Sequence, residues 1–435
     1  MRVTLVESWP MLPAVLFCMG DPQIVEQPAK EMPEMKTVIL KMTNLHLHAS
    51  GVFSNVYRGT LLEPAPQREI AIKKTWPENR ERNFEMIFLT GISRIRHKNI
   101  VQMLFAFSNK VGKHKKEICE SFVFDFLPDT LASIIKKEKL DTTDIKIYTW
   151  QLFSGLRYLS AYQIVHRDIK PMNVLLDHAN GLLKIGDFGS AKVVTRLTKS
   201  TAYQVTRFYR PPELLLGAEY YNWTVDLWSA GCVVGEMMRG NVIFPGRNGK
   251  HQLKLIFTCI GSPTEEDIRM MRVPTRIRFD GRVIVGQGLS KLCPNADKQM
   301  IALLEKILVY RPKERLWGPE LLKDKAFDSI IQPNAKRKNG QLISSIITAE
   351  DVQKVRNDKG SNSNLIMITP AMKKRLDFAC DDIPRKPQKQ KISSPESDKK
   401  DQKIYSRSTR PATDQTQARV ETMQQGTDGT QDTAK

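Results

Sequence analysis

Short apolar runs separated by charged and turn residues follow an N-terminal stretch that lacks such a pattern. Residues 1–35 are rich in Pro and Met and predict an irregular extension. Four later runs combine β-branched or aromatic residues and therefore predict strands. These runs are residues 38–40, 55–58, 70–73 and 121–128, of which the last enters a short linker. Strand-like and helix-like patterns then alternate to about residue 372, which indicates a globular body.

The C-terminal end has a different composition. From about residue 384 it consists mainly of Lys, Gln, Ser, Thr and Asp, with almost no large apolar side chain. Such a segment cannot bury enough apolar surface to offset the entropy lost on ordering. We therefore predict a disordered basic and polar tail over residues 376–435. Residues 329–375 are predicted to be an extension that packs on the globular body.

The chain is strongly basic, with 67 Lys and Arg against 47 Asp and Glu in 435 residues and a net charge of +20. The basic residues are scattered and no nucleic-acid motif accompanies them, so the charge favours acidic or phosphorylated protein partners over specific nucleic acid. No apolar run of about 20 residues predicts a membrane span. Six widely spaced cysteines without a CxxC pair are typical of an intracellular protein, cytoplasmic or nuclear.

The strongest chemical signal is the pair of motifs HRDIKPMN and DFG, at residues 166–173 and 187–189. Asp168 can accept the proton of an attacking hydroxyl, and Lys170 can neutralise charge on the transferred group. Asn173 and Asp187 can hold Mg²⁺ ions that bridge the phosphates of a nucleotide. These groups in this order predict protein-kinase chemistry with ATP and Mg²⁺ as cofactors.

A second motif lies upstream, where the predicted strand at residues 70–73 ends in Ala-Ile-Lys. Kinases place in this position the Lys that contacts the α- and β-phosphates. Lys73 then needs a carboxylate from the following helix. Glu85 is the first candidate for this ion pair and Glu81 is the second.

The loop expected to cover the phosphates departs from the usual pattern GxGxxGxV. Its register here is ASGVFSNV at residues 49–56, which keeps only the central glycine. Glycines let backbone amides approach phosphates closely, so we expect weakened nucleotide affinity. A kinase-fold pseudoenzyme or scaffold with a weak nucleotide site is therefore the alternative function. The intact Lys73, Asp168 and Asp187 argue against it.

The strand at residues 121–128 is predicted to be the hinge, with backbone groups of Asp125 and Leu127 facing the adenine and Phe124 at the back of the pocket. The predicted nucleotide-binding residues are Ala49, Gly51, Val56, Ala71, Lys73, Glu85, Asp125 and Leu127.

Several segments resemble the glycogen synthase kinase 3 family. They are VFDFLPDT at residues 123–130, DFGSAK at 187–192, YQVTRFYRPPE at 203–213 and DLWSAGC at 226–232. DFGSAK and the YxxxRxYR pattern are the specific ones, whereas DxWSxGC is shared by kinases generally. The resemblance implies a CMGC-type serine/threonine protein kinase with a bilobal α+β fold. The kinase domain would span residues 36–328, with a β-rich N-lobe to about residue 125 and a larger helical C-lobe after it.

The same resemblance implies further roles. Tyr203 matches the activation-loop tyrosine that the family autophosphorylates. Glu213 and Arg315 match a buried ion pair that holds the substrate-binding segment, and Asp226 matches the carboxylate that anchors the catalytic loop. Residues 265–271 resemble a helix beside a scaffold-binding groove. A scaffold peptide on the C-lobe is thus an expected partner, although packing is the favoured interpretation of this helix.

Members of this family often select protein substrates that already carry a phosphate, which two Arg and one Lys bind. Arg167 and Lys192 match two of these positions, but Phe84 stands in the third. Arg80 and Arg82 are the alternatives that could replace the missing guanidinium. We therefore expect a weaker preference for such primed substrates than the family shows.

Overall fold

The structure, a computed structural model, describes residues 23–51, 54–76, 84–94, 96–111, 117–194, 205–274 and 283–358. The predicted disordered tail, Tyr203 and the alternatives Glu81, Arg80 and Arg82 lie outside these residues.

Six antiparallel strands form a closed sheet in the N-terminal part. They are β1 (Val25–Glu31), β2 (Lys36–Ser50), β3 (Ser54–Glu63), β4 (Arg68–Thr75), β5 (Met103–Val111) and β6 (Glu117–Asp125). Their order is β1-β2-β3-β4-β6-β5, and β1 closes the circle by pairing with β5. Apolar side chains such as Leu40, Ile70 and Val123 fill the interior of this sheet. All four predicted strands are present.

Strand β1 corrects one expectation, because it lies in the stretch predicted to be irregular. It pairs with β2 along its whole length, from Val25 opposite Met42 to Glu31 opposite Lys36. Its sequence, VEQPAKE, has a weak apolar pattern, and only Ala29 in it is buried. Backbone pairing with two neighbouring strands therefore determines this strand more than its own side chains do.

Helix α1 (Phe84–Ser93) lies between β4 and β5 in the chain. Its buried side chains Phe88, Leu89 and Ile92 belong to the same apolar cluster as the core of the C-terminal part. The helix therefore packs between the closed sheet and the helical lobe. From this position its side chains can reach the cleft, which is the space between the two lobes.

The C-terminal part is mainly helical. Its helices are α2 (Leu131–Lys137), α3 (Thr142–Ala161), α4 (Pro212–Leu215), α5 (Thr224–Arg239), α6 (Gly249–Ile260), α7 (Glu265–Met270), α8 (Leu289–Leu292), α9 (Lys298–Ile307), α10 (Gly318–Leu322) and α11 (Ala349–Asn357). Helices α3 and α5 are buried along most of their length and form the centre of this lobe. None of the described helices is long and apolar enough to cross a membrane.

Five short strands belong to this part of the chain. They are β7 (Asp129–Thr130), β8 (Ile164–Val165), β9 (Val174–Asp177), β10 (Leu182–Ile185) and β11 (Lys192–Val193). Strands β9 and β10 form a hairpin, and β8 pairs with β11. The loop between β8 and β9 carries the HRDIKPMN motif, and the DFG motif follows β10.

Residues 329–358 pack on the helical lobe. Arg337 is 4% exposed, and its guanidinium donates to Asp144 of α3 (2.7 Å) and to the backbone carbonyl of His178 (2.8 Å). At the end of α11, Asp358 binds Arg157 of α3 through both carboxylate oxygens, at 2.9 and 3.1 Å.

Candidate active site

The catalytic loop is tied to the buried helix α5 by backbone hydrogen bonds. The amides of His166 and Arg167 donate to the two carboxylate oxygens of Asp226, at 2.7 and 2.9 Å. Asp226 is 2% exposed, so water does not compete for these bonds. The buried ring of His166 lies 2.8 Å from the carbonyl of Gly186. The loop and the residue before Asp187 are therefore held to one rigid frame.

Asp168 is surrounded by donors. The ammonium of Lys170 lies 2.7 Å from its Oδ2, and the amide nitrogen of Asn173 donates to the same oxygen at 2.9 Å. The hydroxyl of Thr206 donates to Oδ1 at 2.7 Å. The carboxylate is thus fixed in orientation and remains part-buried beside a cation. Charge-assisted bonds of this kind are stronger than neutral ones.

Thr206 is a residue that sequence reasoning missed. It lies in the YQVTRFYR segment, in which the sequence assigned a role to Tyr203 alone. The match of this segment to the family is the only sequence feature that points to Thr206. Its contact with Asp168 spans 38 residues of the chain. Lys170 also lies 3.4 Å from its hydroxyl, so Asp168, Lys170 and Thr206 form one connected cluster.

Lys73 joins the two lobes. Its ammonium lies 2.7 and 2.8 Å from the two carboxylate oxygens of Glu85 in α1, and 2.9 Å from Oδ1 of Asp187. Burial acts to lower the pKa of Lys73, but the two carboxylates outweigh burial and the pKa is raised. Burial acts to raise the pKa of Asp187, but Lys73 outweighs it and that pKa is lowered. Both groups are therefore charged at neutral pH.

Two site residues adopt a backbone conformation that is uncommon for side chains other than glycine. Arg167 has φ 65° and Asp187 has φ 59°. Such strained residues persist only where surrounding contacts hold them, and they cluster at functional sites. For Arg167 the contacts include the Asp226 carboxylate and a bond from its Nε to the carbonyl of Ser190, at 2.6 Å.

The nucleotide-covering loop is the turn between β2 and β3. Ala49 pairs with Val56, and the amide of Gly51 donates to the carbonyl of Ser54 at 2.8 Å. The next pair is joined by a bond from the Ser50 hydroxyl to Asn55, at 2.8 Å. Val52 and Phe53 lie outside the described residues. Val56 also pairs with Lys73 in β4, so the predicted loop residues lie beside the ion pair of Lys73.

The segment predicted to be the hinge follows β6. Ala71 in β4 pairs with Phe124, and the half-buried Leu127 comes shortly after the end of β6. Asp125 ends the strand and its carboxylate lies 3.3 Å from Arg68. The amide of Phe126 donates to the carbonyl of Glu69 at 3.1 Å, which fixes the linker against β4.

Comparison with known proteins agrees with this geometry. A protein kinase domain model matches residues 46–327. The chain belongs to the protein kinase family. Its relatives include gskl-1 of Caenorhabditis elegans, whose name describes a serine/threonine-protein kinase. The two are 36% identical over 319 residues, which cover 72% of this chain and 86% of the relative.

Two fungal relatives carry the glycogen synthase kinase name or its abbreviation. Glycogen synthase kinase 1 of Pyricularia oryzae is 34% identical over 330 residues, covering 74% of this kinase and 82% of the relative. Protein kinase gsk3 of Schizosaccharomyces pombe is 34% identical over 326 residues, covering 73% and 82%. The kinase is therefore a glycogen synthase kinase 3-like, ATP-dependent serine/threonine protein kinase of CMGC type. The predicted bilobal α+β fold is confirmed.

The kinase contains the buried ion pair that the family resemblance predicted. Arg315 donates to both carboxylate oxygens of Glu213 at 2.7 Å, and a third bond at 2.9 Å reaches the carbonyl of Thr224. Nearby, the guanidinium of Arg210 donates to the carbonyl of Val205 at 2.9 and 3.1 Å. These contacts hold the segment that follows the activation loop against α5.

Of the predicted phosphate-recognition residues, Lys192 lies on β11 and Arg167 lies in the loop that follows β8. Lys192 pairs with Val165, two residues before Arg167 in the chain. Phe84, in the third position, is the first residue of α1.

The residues predicted to hold metal fit Mg²⁺ in chemistry. The Asn173 amide nitrogen is directed at Asp168, which leaves its amide oxygen as the acceptor. Asp187 supplies a carboxylate. Mg²⁺ prefers oxygen ligands and often uses one or two carboxylates together with substrate phosphates. Within the described ranges no group of three or more His, Cys, Asp and Glu could hold a metal ion alone.

Proposed function

We propose that the kinase holds the phosphates of ATP beside Lys73 and Asp187 and presents a protein hydroxyl to Asp168. The observation that carries this proposal is that the charged clusters around Asp168 and Lys73 are both held by the same short segment of the chain. Asp168 with its donors and Lys73 with its two carboxylates are both linked to the segment of Gly186 and Asp187. In the predicted roles, Asn173 and Asp187 would hold Mg²⁺, which supplies neutralisation of phosphate charge.

The proposed reaction moves the γ-phosphoryl group of ATP to a hydroxyl of the protein substrate. A Ser or Thr hydroxyl oxygen of the substrate bonds to the γ-phosphorus, while the bond from that phosphorus to the β–γ bridging oxygen breaks and ADP leaves. The hydroxyl proton passes to the carboxylate of Asp168. Lys170, whose ammonium lies next to Asp168, stabilises negative charge on the transferred group. Thr206 keeps the carboxylate in orientation through its bond to Oδ1.

The test is phosphate incorporation into a basic protein substrate with Mg²⁺. Asp168→Asn keeps the shape of the side chain but removes the proton acceptor, so we expect kcat to fall by roughly 10²–10⁴-fold. Asp328→Asn, at an exposed position, is the matched control and should retain full activity. An Asp168→Asn variant that keeps more than about a tenth of the activity would overturn the assignment of Asp168 as the base.

We also infer that the kinase selects primed substrates less strongly than its family. Arg167 uses one donor on the carbonyl of Ser190, and the third cationic position is occupied by Phe84. A cradle without one guanidinium should bind phosphate less tightly, by about 1.5–3 kcal/mol.

Peptides with and without the priming phosphate test this inference. Phe84→Arg should raise the ratio of primed to unprimed kcat/KM by roughly tenfold or more. Lys192→Ala should lower an already small ratio. A large ratio in the unaltered kinase that collapses in Lys192→Ala would contradict the inference, because two cations would then suffice.

Two further predictions remain. Autophosphorylation of Tyr203 remains a prediction because this residue lies outside the described ranges. A scaffold peptide on the C-lobe also remains one; helix α7 is present, but the residues that follow it include the undescribed range 275–282.

A further inference from the structure

The loop between α1 and β5 contacts the C-terminal segment of the chain. The ammonium of Lys98 donates to the carbonyl of Ile346 at 2.7 Å and forms an ion pair with Asp351 in α11. The same Asp351 carboxylate accepts the amide and the hydroxyl of Thr348, at 2.8 and 2.9 Å, and so caps α11. Lys98 therefore meets an anion that is already fixed by its own helix.

The residues next to Lys98 connect this contact to the active site. The side-chain amide of Asn99 donates to Gln151 in α3 (2.8 Å) and to the carbonyl of Leu183 (2.9 Å). The amide of Ile185 donates to the carbonyl of Asn99 at 2.8 Å. Ile185 ends β10, two residues before Asp187. The loop therefore fixes the strand that leads to the Asp187 carboxylate.

The same loop also holds the end of α1. The side-chain amide of Gln102 donates to the carbonyl of Ser93, the last residue of α1, at 3.2 Å. Near the other end of this helix, Glu85 is 6% exposed and binds Lys73. A helix of ten residues is rigid enough to carry a displacement from one end to the other.

Both ends of the C-terminal segment are anchored to the helical lobe. Asp358 forms an ion pair with Arg157 of α3, and the buried Arg337 forms one with Asp144 in the same helix. The segment from Arg337 to Asp358 is thus fixed to α3 at both ends and contacts, between them, the loop that holds α1. It is a strap between the helical lobe and the base of the helix that carries Glu85.

We propose that Lys98 and Asp351 are positioning residues for nucleotide binding, and that their contact sets the place of α1 so that Glu85 stays paired with Lys73. The C-terminal segment then supports nucleotide binding through α1, although it touches no substrate. This inference rests on the nucleotide role proposed above for Lys73 and Glu85.

Steady-state kinetics with ATP as the varied substrate test the proposal. Lys98→Met keeps the aliphatic stem, and Asp351→Asn keeps an oxygen that can cap α11. Each should lower kcat/KM for ATP by roughly 3- to 10-fold, mainly through KM. The double variant should be no worse than either single one, because both remove the same contact. Lys98→Arg should retain the unaltered kinetics.

The matched control is Glu350→Gln, the neighbouring residue in α11, which is exposed and forms an ion pair with Lys354 of the same helix. It should leave ATP kinetics unchanged. Hydrogen exchange separates positioning from general destabilisation: Lys98→Met should speed exchange in residues 84–93. Uniformly faster exchange, or an effect of Glu350→Gln as large as that of Asp351→Asn, would overturn the proposal.

Lys73→Arg distinguishes failure of this inference from failure of the function on which it rests. Loss of activity in Lys73→Arg, together with unaltered ATP kinetics in Lys98→Met, would reject the positioning role alone. Retention of activity in Lys73→Arg would instead reject the nucleotide role of Lys73.

Discussion

Two ion pairs with the same 2.7 Å separation occupy different parts of the kinase. Arg315 and Glu213 have side chains 0% and 2% exposed, and the guanidinium also lies over the ring of Trp228. One cation faces one anion, and backbone carbonyls accept the remaining donors. Lys73 is 17% exposed and is shared between Glu85 and Asp187, so one cation faces two anions at the edge of the cleft.

The difference separates a structural pair from a functional one. A buried pair with balanced charge and saturated hydrogen bonds has nothing left to bind, and it mainly specifies the local arrangement. A pair with a surplus carboxylate beside open solvent can accept a further positive group. Perturbed charges in a cleft are typical of functional sites.

Breaking the buried pair should have the largest effect. Glu213→Gln leaves Arg315 as an uncompensated buried charge, so we expect the free energy of unfolding to fall by about 3–5 kcal/mol. Chemical denaturation measures this change. The control is Glu314→Gln, whose side chain is 55% exposed and pairs with Arg311; it should change stability by less than about 1 kcal/mol. Equal effects of the two variants would contradict the structural assignment.

The cleft pair should respond in the opposite manner. Lys73→Arg keeps the charge but replaces a compact ammonium by a planar fork, so stability should change by less than about 1 kcal/mol. Activity should fall by roughly 10²–10³-fold because the phosphates lose a positioned donor. Kinetics and denaturation on the same sample check both parts. A variant that unfolds easily yet remains active would remove the distinction between the two pairs.

The half-buried ring of His97, next to Lys98 in the chain, extends the comparison. Burial, followed by the charge of Lys98, lowers the pKa of His97 from 6.5 to about 4. The folded kinase therefore binds fewer protons at His97 than the unfolded chain does. The contribution of His97 to the free energy of unfolding is present above pH 6.5 and is lost as the pH falls towards 4. Between pH 7 and 5 the loss should be about 1–2 kcal/mol.

Denaturation at the two pH values measures this loss, and His97→Gln should remove most of it. An unchanged pH dependence in His97→Gln would show that another group is responsible.

The smallest effect is expected at the nucleotide-covering loop, which has no ion pair of its own among the described contacts. Ala49→Gly combined with Ser54→Gly restores backbone freedom near the phosphates, so the KM for ATP should fall by roughly two- to fivefold. The peptide substrate KM serves as the internal control and should not move. An unchanged KM for ATP would mean that the missing glycines do not weaken nucleotide binding.

Local motifs made most of the site predictable. Asp168, Lys170 and Asn173 lie within one short loop, so their meeting follows from spacing alone, and the pairing of Lys73 with Glu85 follows from the strand and helix patterns. The contact of Thr206 with Asp168 and that of Lys98 with Asp351 join residues 38 and 253 positions apart. Such contacts depend on how whole elements pack. Strand β1 escaped prediction because backbone pairing, which leaves no sequence pattern, holds it in place.

That strand has a consequence for the behaviour of the protein in solution. β1 pairs with β2 along residues 36–42 but with β5 only through Lys30 and Glu31, so along β2 it covers a row of backbone groups that would otherwise be unpaired. Exposed rows of this kind recruit strands from other molecules and promote aggregation. A chain that began at Lys36 would uncover that row of β2, so we expect it to self-associate more readily than the full chain, an effect unrelated to phosphate transfer.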